Sequence, residues 1–224
     1  MIQRVLDIAF SSIALVLLSP LFLIIIIILR FTGEGEIFFL QKRVGRKKNI
    51  FNLFKFATML KNSENIGTGT ITVNNDIRIL PFGKVLRKTK INELPQLLNI
   101  FLGDMSIVGP RPLTTETYSF YSQEVQQTLF DIRPGLSGIG SIIFRDEERI
   151  LSGREEDSKQ FYKDVIAPYK GNLEIWYVEN LSVLTYFKVI VVTIWIVVFP
   201  KSVLYKKIFR NLPAASKELI IHLN

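Results

Sequence analysis

KVLRKTKINELPQLLNIFLGDMSIVGPRPL, residues 84–113, carries most of the information about the fold and chemistry of this chain. Apolar side chains at helical spacing predict a helix that ends at Gly103: Leu94, Leu97, Leu98 and Phe101. Around that helix the stretch collects cations and carboxylates: Arg87, Lys88, Lys90, Glu93 and Asp104. It closes with Gly109-Pro110-Arg111-Pro112, in which two prolines restrict the backbone on either side of a guanidinium. A site that binds a metal-bound pyrophosphate needs this combination of groups.

Glu93 lies near the start of the predicted helix. The helix dipole stabilises a carboxylate in a first turn, so we expect Glu93 to stay ionised and able to bind Mg²⁺. Ordinary capping chemistry at Asn92-Glu93 is the alternative explanation of the same residues. The nearby turn at Arg111 favours the site.

Upstream, residues 8–29 form an uncharged apolar run that is long enough to cross a bilayer. Ser19-Pro20 lies near its middle, where proline removes a backbone N–H and Ser19 can bond to the carbonyl that loses its partner. Basic residues flank the run on both sides, which favours translocation of neither end. We therefore predict a re-entrant helix–break–helix hairpin with both ends in the cytoplasm. A kinked helix that spans the membrane is the alternative.

A second apolar segment covers residues 183–199 and is interrupted by Lys188. Its length is marginal for a membrane span, so an interfacial or half-buried helix is equally consistent with it. A helix buried in the protein core is a further alternative. The cations that follow suit an anionic membrane surface: Lys201, Lys206, Lys207 and Arg210.

Between the apolar ends, short alternating segments predict strands near residues 37–40 and 50–59 and a helix over 115–130. Residues 61–75 and 136–160 contain polar, turn-rich stretches, and we expect substrate specificity to reside in these two loops. The fold class predicted is therefore an α-dominated α+β domain with interfacial helices.

Composition limits the chemistry and the partners. The chain of 224 residues has a net charge of +8, which favours anionic partners such as phospholipid head groups and nucleotides. No sequence signature of nucleic-acid binding accompanies that charge. The chain has no cysteine and a single histidine, His222, near its end. Thiolate chemistry is therefore excluded, and a histidine dyad or a zinc site is nearly so.

The order and spacing of the motifs resemble the bacterial sugar transferases, which are monotopic phosphoglycosyl transferases. The elements that carry this resemblance, besides the apolar run with Ser19-Pro20, are Gln41–Gly45, Phe54–Met59, Asp76–Arg78, Gly83, Glu93–Leu97, Gly103–Ser106, Val108–Pro112 and Arg133–Gly135. The resemblance implies transfer of a phospho-sugar from a nucleotide-sugar to polyprenyl (undecaprenyl) phosphate. Polyprenyl-diphosphosugar and a nucleoside monophosphate would be the products, as the first membrane step of a surface polysaccharide or glycoconjugate pathway.

The same resemblance implies roles for individual residues. Those expected to bind phosphate are Lys55, Arg78, Arg87 and Arg111. Glu93 and Asp104 would hold Mg²⁺, the implied cofactor. We favour the phosphate role most for Arg111 and least for Arg78, and a solvated surface charge is the alternative for each cation. Ala57 stands where the family commonly has a basic residue, so one cation is missing there.

The implied organisation has three parts: a membrane hairpin over 1–32, a cytoplasmic catalytic domain over 33–182 and a membrane-associated C-terminal segment over 183–224. The implied location is the cytoplasmic face of the bacterial inner membrane, in contact with phospholipids. The sequence does not determine which sugar or nucleotide is used, and a homo-oligomer is compatible with it.

Asn92 is the one departure from the motif, because the family pattern has aspartate before this glutamate. In similar enzymes that aspartate attacks the β-phosphate, whereas a carboxamide is a poor nucleophile. Three outcomes stay open: attack by Glu93, direct attack by the polyprenyl phosphate, or binding without turnover. We rank retained transferase activity first. A catalytically silent partner in a glycan-assembly complex is the alternative function.

Overall fold

The computed structural model describes residues 2–66, 76–151, 158–216 and 219–220, and it is rich in helix. The helices are α1 (Ile2–Phe31), α2 (Pro81–Lys88), α3 (Gln96–Leu102), α4 (Thr115–Ser119), α5 (Gln123–Thr128), α6 (Ile139–Ile143), α7 (Glu147–Leu151), α8 (Ser158–Phe161), α9 (Ala167–Glu179), α10 (Val183–Val198) and α11 (Leu204–Ile208). The strands are β1 (Phe38–Val44), β2 (Ile50–Phe56), β3 (Ser106–Val108) and β4 (Gly135–Ser137). Short 3₁₀ turns at Arg46–Lys48, Ser63–Asn65 and Ile91–Glu93, and a π turn at Tyr162–Ile166, complete the elements. The prediction of helix dominance with a small strand component is confirmed.

The strands form two separate pairs. β1 and β2 are antiparallel, with Phe39 opposite Lys55, and they confirm the two predicted strands. β3 and β4 are parallel, with Ser106 opposite Gly135. Neither segment of this second pair was predicted as a strand. The chain passes through α4 and α5 between β3 and β4, so this parallel pair joins segments that are far apart in the sequence.

The helix predicted over 115–130 is two helices, α4 and α5, because a new cap interrupts it. The Ser122 hydroxyl accepts a hydrogen bond from the N–H of Val125, which begins α5. Thr114 caps α4 in the same way. Serine and threonine stabilise a helix start by satisfying an otherwise unpaired N–H. Three predictions fall at least partly outside the described residues: the loop at 61–75, of which residues 67–75 are not described, the loop at 136–160, of which residues 152–157 are not described, and His222.

α1 is one helix, and the helix–break–helix hairpin predicted for its segment is not confirmed. Residues on both sides of Pro20 are helical, as is Pro20 itself. The proline does remove the N–H that would bond to the carbonyl of Val16, and the Ser19 hydroxyl donates to that carbonyl at 2.8 Å. The compensation expected of Ser19 is therefore present without a break in the helix.

Both ends of α1 contact the same globular body. Near its start, Gln3 donates to Ser106 and Val108, and Arg4 donates to the carbonyls of Ile100 and Phe101. Arg4, one of the basic residues that flank the apolar run, is thus bound to the last turn of α3.

Near the other end of α1, Ile25 and Leu29 pack against Phe56 and Leu86. The opposite face of the helix exposes apolar side chains, including Ile13, Val16, Leu17, Leu23 and Ile27. α1 is long and apolar enough to cross a membrane.

α10 is buried on one side only. Tyr186, Val189, Val192 and Ile196 are buried in the main core, whereas Leu184, Val191, Ile194 and Val198 are exposed. One face of the second apolar segment is thus packed in the protein core, and its interfacial position at a membrane stays a prediction. The main core also includes α9, whose Leu173 is fully buried.

Candidate active site

The site is built on the junction of two motifs that lie apart in the sequence. The N–H of Gly109 donates to Ser137 at 2.9 Å, and the N–H of Gly135 donates to the carbonyl of Pro110 at 2.7 Å. A Cβ on Gly135 would lie 2.1 Å from the backbone nitrogen of Gly109. The two backbones can approach this closely only because both residues lack side chains. The turn at Pro110-Arg111-Pro112 is thereby fixed against the Arg133-Pro134-Gly135 turn.

Arg111 and Glu93 face each other across the site. Nη2 of Arg111 lies 3.6 Å from Oε1 of Glu93, with side-chain exposures of 43% and 18%. Glu93 belongs to the 3₁₀ turn that precedes α3, and Lys90, with φ of 59°, starts that turn. Glu93 thus ends a short 3₁₀ turn before α3, rather than lying in the first turn of that helix as predicted, and its carboxylate is partly open to solvent.

Cations surround Glu93. Burial raises the pKa of this carboxyl, but the charges of Arg111, Lys55, Lys90 and Arg87 outweigh burial, and the net pKa is lowered. Glu93 is thus ionised at neutral pH. The structure brings together three of the predicted phosphate-binding residues, Lys55, Arg87 and Arg111, around the predicted metal ligand.

Lys55 lies on β2 and has an unusual acidity for a lysine. Burial, the repulsion of Arg43 and the charges of Arg111 and Arg87 lower its pKa to about 7, against the opposing effect of Glu93. A shift of this size reflects crowding of like charges with limited access to solvent. An anionic ligand in the site would relieve the crowding and favour the charged lysine.

A cleft opens beside Arg111, lined by Arg43, Lys55, Gln96, Pro112 and Leu136 among others. Nη1 of Arg43 donates to the carbonyl of Pro112 at 3.2 Å, so this β1 arginine also supports the turn. Arg43 and Gln96 were not among the predicted site residues. The basic cluster after the first predicted strand was the available signal for Arg43.

Arg78, predicted to bind phosphate, has a different role. Its side chain is 3% exposed and forms an ion pair with Asp76 at 2.5 Å. It also donates to the carbonyls of Ser63 and Ile66. A phosphate would have to displace an internal carboxylate, so the structure argues against phosphate binding by Arg78. The ion pair instead fixes the segment that leads into α2.

Asp104 does not join Glu93 in any interaction of the described residues. Its Oδ2 accepts from Asn99 at 3.3 Å, and Asn99 in turn bonds to the backbone of Asn52 and Phe54. Among those residues no group of three histidine or acidic side chains could hold a metal. The assignment of Glu93 and Asp104 as metal ligands stays a prediction.

Glu93 by itself suits Mg²⁺ in another way. Magnesium in enzymes that act on phosphate is commonly held by one or two carboxylates together with the phosphates of the substrate. Next to Glu93, Asn92 is 6% exposed, and its Oδ1 has no hydrogen-bond partner in the described part of the chain. An ionised carboxylate beside an unsatisfied amide oxygen fits a hard cation that brings its own phosphate ligands.

The order of these motifs agrees with a known family. The family model described as bacterial sugar transferase matches residues 1–200. The chain belongs to the bacterial sugar transferase family. Glu93, Arg111, Lys55 and Arg87 all lie inside the matched region of this transferase family member.

Three relatives illustrate the similarity. The UDP-N-acetylgalactosamine-undecaprenyl-phosphate N-acetylgalactosaminephosphotransferase of Aeromonas hydrophila is 34% identical over 191 residues, which cover 84% of this chain and 43% of the relative. The exopolysaccharide production protein ExoY of Rhizobium meliloti is 35% identical over 161 residues, covering 66% and 71%. The UDP-glucose:undecaprenyl-phosphate glucose-1-phosphate transferase of Klebsiella pneumoniae is 33% identical over 191 residues, covering 83% and 39%. The chain thus spans less than half of the first and third of these relatives.

Proposed function

We propose that this sugar transferase family member moves a phospho-sugar from a nucleotide-sugar to undecaprenyl phosphate. The observation that carries the proposal is the Glu93–Arg111 pair, which lies in a cluster of cations that includes Lys55 and Arg87. Such a cluster suits a diphosphate, whose negative charge would offset the mutual repulsion of the cations. The names of the Aeromonas and Klebsiella relatives, which describe sugar-phosphate transfer to undecaprenyl phosphate, support the same chemistry.

In the proposed reaction, an oxygen of the polyprenyl phosphate forms a bond to the phosphorus that carries the sugar. The bond between that phosphorus and the bridging oxygen of the nucleotide breaks, and the nucleoside monophosphate leaves with the bridging oxygen. Arg111 and Lys55 hold the phosphate oxygens and stabilise the negative charge that develops on them. Mg²⁺, bound through Glu93 and the diphosphate, would supply further charge neutralisation.

Asn92 has no anionic oxygen, so a covalent enzyme intermediate cannot form on it as it stands. Glu93 lies 3.6 Å from Arg111 and among further cations that lower its pKa, and a less basic carboxylate is a weaker nucleophile. Direct attack by the polyprenyl phosphate needs neither side chain as nucleophile, because the acceptor is itself an anion. We therefore propose single displacement in a ternary complex.

The membrane arrangement proposed is monotopic, with residues 33–182 as the cytoplasmic catalytic domain on the bacterial inner membrane. A helix that spanned a bilayer would place its two ends on opposite sides. Here Gln3 and Arg4 at one end of α1 and Leu29 at the other contact one body. The exposed apolar faces of α1 and α10 would enter the cytoplasmic leaflet, where the tail cations meet phospholipid head groups.

A donor screen tests the function. The purified chain in lipid nanodiscs is mixed with undecaprenyl phosphate, Mg²⁺ and labelled UDP-sugars one at a time, and monophosphate release and lipid-linked label are measured together. We expect one donor to give both products in equal amounts. Failure of a broad panel of nucleotide-sugars, with lipid acceptor present, would contradict the proposal and favour the silent partner.

Cysteine labelling tests the membrane arrangement, since the sequence contains no cysteine to interfere. Ile2→Cys, at an exposed position, and Lys201→Cys, in the basic tail, are each treated with a membrane-impermeant maleimide. We expect neither to react in intact spheroplasts and both to react after permeabilisation. Reaction of Ile2→Cys alone in intact spheroplasts would show that α1 spans the membrane.

A further inference from the structure

The start of α1 is hydrogen-bonded to every residue of β3, the strand that leads into the site. Nε2 of Gln3 donates to the Ser106 hydroxyl at 2.9 Å and to the carbonyl of Val108 at 3.0 Å. Between these two residues, the N–H of Ile107 donates to Oδ1 of Asp7 at 3.0 Å. Two side chains that lie one helical turn apart on α1 therefore hold the whole of this short strand.

β3 needs this support because it has a partner strand on one side only, within the part of the chain that the structure describes. The N–H of Ser106 donates to the carbonyl of Pro134 at 2.9 Å, on the side of β4. Successive residues of a strand direct their N–H groups to opposite sides, so the N–H of Ile107 faces away from β4. A strand edge without a partner leaves such groups unsatisfied, and the Asp7 carboxylate supplies the acceptor.

Asp7 is buried at this contact, with 1% of its surface exposed. The Tyr186 hydroxyl of α10 donates to the same Oδ1 at 2.9 Å. A buried carboxylate is costly unless hydrogen bonds compensate for the lost water, and here one oxygen accepts from two donors. Apolar contacts, such as that of Phe10 with Phe187, already join α1 to α10. Packing of these two helices therefore needs no acid, whereas the backbone of β3 does need an acceptor.

The contact at Ile107 is continuous with the site. Directly after β3, Gly109 and Pro110 form the close junction with β4 that fixes the turn at Arg111. β4 is held separately, because the Ser137 hydroxyl lies 2.6 Å from the hydroxyl of Thr193 on α10. A close-packed interior transmits displacements, so movement of β3 relative to β4 would shift the turn.

We propose that Asp7 is a positioning residue of the active site, which holds β3 so that the guanidinium of Arg111 faces Glu93. α1 then belongs to the scaffold of the site, in addition to its proposed contact with the membrane. The inference rests on the proposed function, because that function assigns Arg111 to the diphosphate.

The first test compares three variants in the transfer assay. Asp7→Ala removes the acceptor of both donors, and we expect kcat/KM for the nucleotide-sugar to fall by up to about 100-fold, since misplacement of a binding group by about 1 Å can have that effect. Asp7→Asn keeps an acceptor oxygen and should recover most of the loss. Tyr186→Phe is the matched control, because it removes the bond between Tyr186 and Asp7 and leaves the bond to Ile107. Its kcat/KM should stay close to that of the wild type.

Two results of this comparison would overturn the inference. One is an unchanged kcat/KM in Asp7→Ala, and the other is an equal loss in Asp7→Ala and Tyr186→Phe, which would show that Asp7 serves only the packing of α1 against α10.

A double-variant cycle separates positioning from a general structural role. If Asp7 acts through Arg111, Asp7→Ala should lower kcat/KM no further in an Arg111→Ala background. Independent, multiplicative losses would contradict a role through Arg111.

Amide hydrogen exchange gives a readout that depends on neither turnover nor ligand. In the full chain in nanodiscs, Asp7→Ala should speed exchange across residues 106–111, including the N–H of Gly109, whereas Tyr186→Phe should not. If thermal unfolding shows that Asp7→Ala is not folded, Asp7→Asn replaces it: its neutral oxygen is a weaker acceptor and should give a smaller increase at the same positions. Unchanged exchange at Gly109 in the folded variant would refute the positioning role.

Titration with magnesium pyrophosphate distinguishes failure of this inference from failure of the proposed function. If the wild-type chain binds pyrophosphate but transfers no sugar, the proposed function fails, and weaker binding of pyrophosphate by Asp7→Ala would still support the positioning role. If Asp7→Ala binds pyrophosphate as tightly as the wild type, the positioning role fails.

Discussion

Arg111 and Glu93 form an ion pair whose closest atoms are 3.6 Å apart, with the guanidinium 43% exposed. This distance exceeds that of a direct hydrogen bond, so the pair is held mainly by charge. An open pair of this kind can admit a phosphate oxygen to the guanidinium and a cation to the carboxylate. Glu93 is therefore near four cations, yet its carboxylate is not closed off by a direct hydrogen bond to Arg111.

Glu93→Ala should abolish transfer, with turnover reduced by about 100-fold or more, in the range seen when one essential electrostatic group is removed. The variant leaves Arg111, Lys55, Lys90 and Arg87 without their shared counter-charge and removes the proposed metal ligand. Turnover of the screened donor is the measurement. Glu124→Ala, in the first turn of α5, serves as a control at an exposed carboxylate. Full activity in Glu93→Ala would refute the site assignment.

Asn92→Asp should preserve or raise turnover, because it supplies the nucleophile that the family pattern has at this position. It should also change the mechanism. Without lipid acceptor, the wild-type chain should not exchange labelled nucleoside monophosphate into the nucleotide-sugar, since single displacement forms no enzyme intermediate. Asn92→Asp should catalyse that exchange and trap a phosphosugar adduct.

The control for the exchange experiment is Asn99→Asp, which introduces the same change at a buried asparagine bonded to Asn52 and Phe54. It should give no exchange. Exchange by the wild-type chain would show that Glu93 acts as nucleophile after all.

Part of the candidate site could be predicted from the sequence. Lys55, Arg87, Glu93 and Arg111 were singled out as one site, and the structure places them together. Motif order carries this information because phosphate chemistry limits which residue types are useful. The two antiparallel strands and the helix before Gly103 could also be predicted, because their apolar periodicity is a local feature of the sequence.

Long-range contacts account for what the sequence analysis missed. β3 and β4 are three residues each, too short to show a period, and their pairing depends on two glycines distant in the chain. Arg78 carries the same charge as Arg111, but its partner Asp76 removes it from the site. Glu174 and Lys170 look like ordinary surface charges in sequence, and only tertiary packing shows that they are buried.

Lys55 should make transfer depend on pH near neutrality. Burial and neighbouring cations lower its pKa to about 7, so its charge is present below that pH and is lost above it. We expect kcat/KM for the nucleotide-sugar, which reports the free enzyme, to fall as the pH rises through about 7. In Lys55→Arg the fall should move to higher pH, because arginine keeps its charge. An unchanged profile in this variant would exclude Lys55 as the titrating group.

The contribution of Lys55 to the free energy of unfolding should rise with pH, opposite to the expected fall in kcat/KM. The pKa of Lys55 in the unfolded chain is about 10.4, so between about pH 7 and that value the unfolded state binds more protons. The contribution of Lys55 to folding therefore becomes more favourable as the pH rises across this range. Thermal unfolding of the wild type against Lys55→Met should show that trend, and it separates loss of phosphate binding from unfolding.

Gly135→Ala should inactivate the protein by separating the two turns that support Arg111. The new Cβ would meet backbone atoms of Gly109 at 2.1 and 2.6 Å, and backbone cannot move aside as a flexible side chain can. The hydrogen bond from Gly135 to Pro110 would lengthen, and the guanidinium would shift from Glu93. We expect transfer to fall at least about 100-fold.

Unfolding temperature and turnover distinguish this local effect from global unfolding. Overpacking in a close-packed interior typically costs about 1–3 kcal/mol, so Gly135→Ala should still fold at low temperature while lacking activity. Gly35→Ala is the control: its φ of +72° strains an alanine at a position away from Arg111, although its Cβ would meet the carbonyl of Arg30 only at 3.4 Å. Because the control strains the chain without touching the turn, it should lose stability and keep kcat. Normal transfer by Gly135→Ala would mean that the β3–β4 junction does not position Arg111.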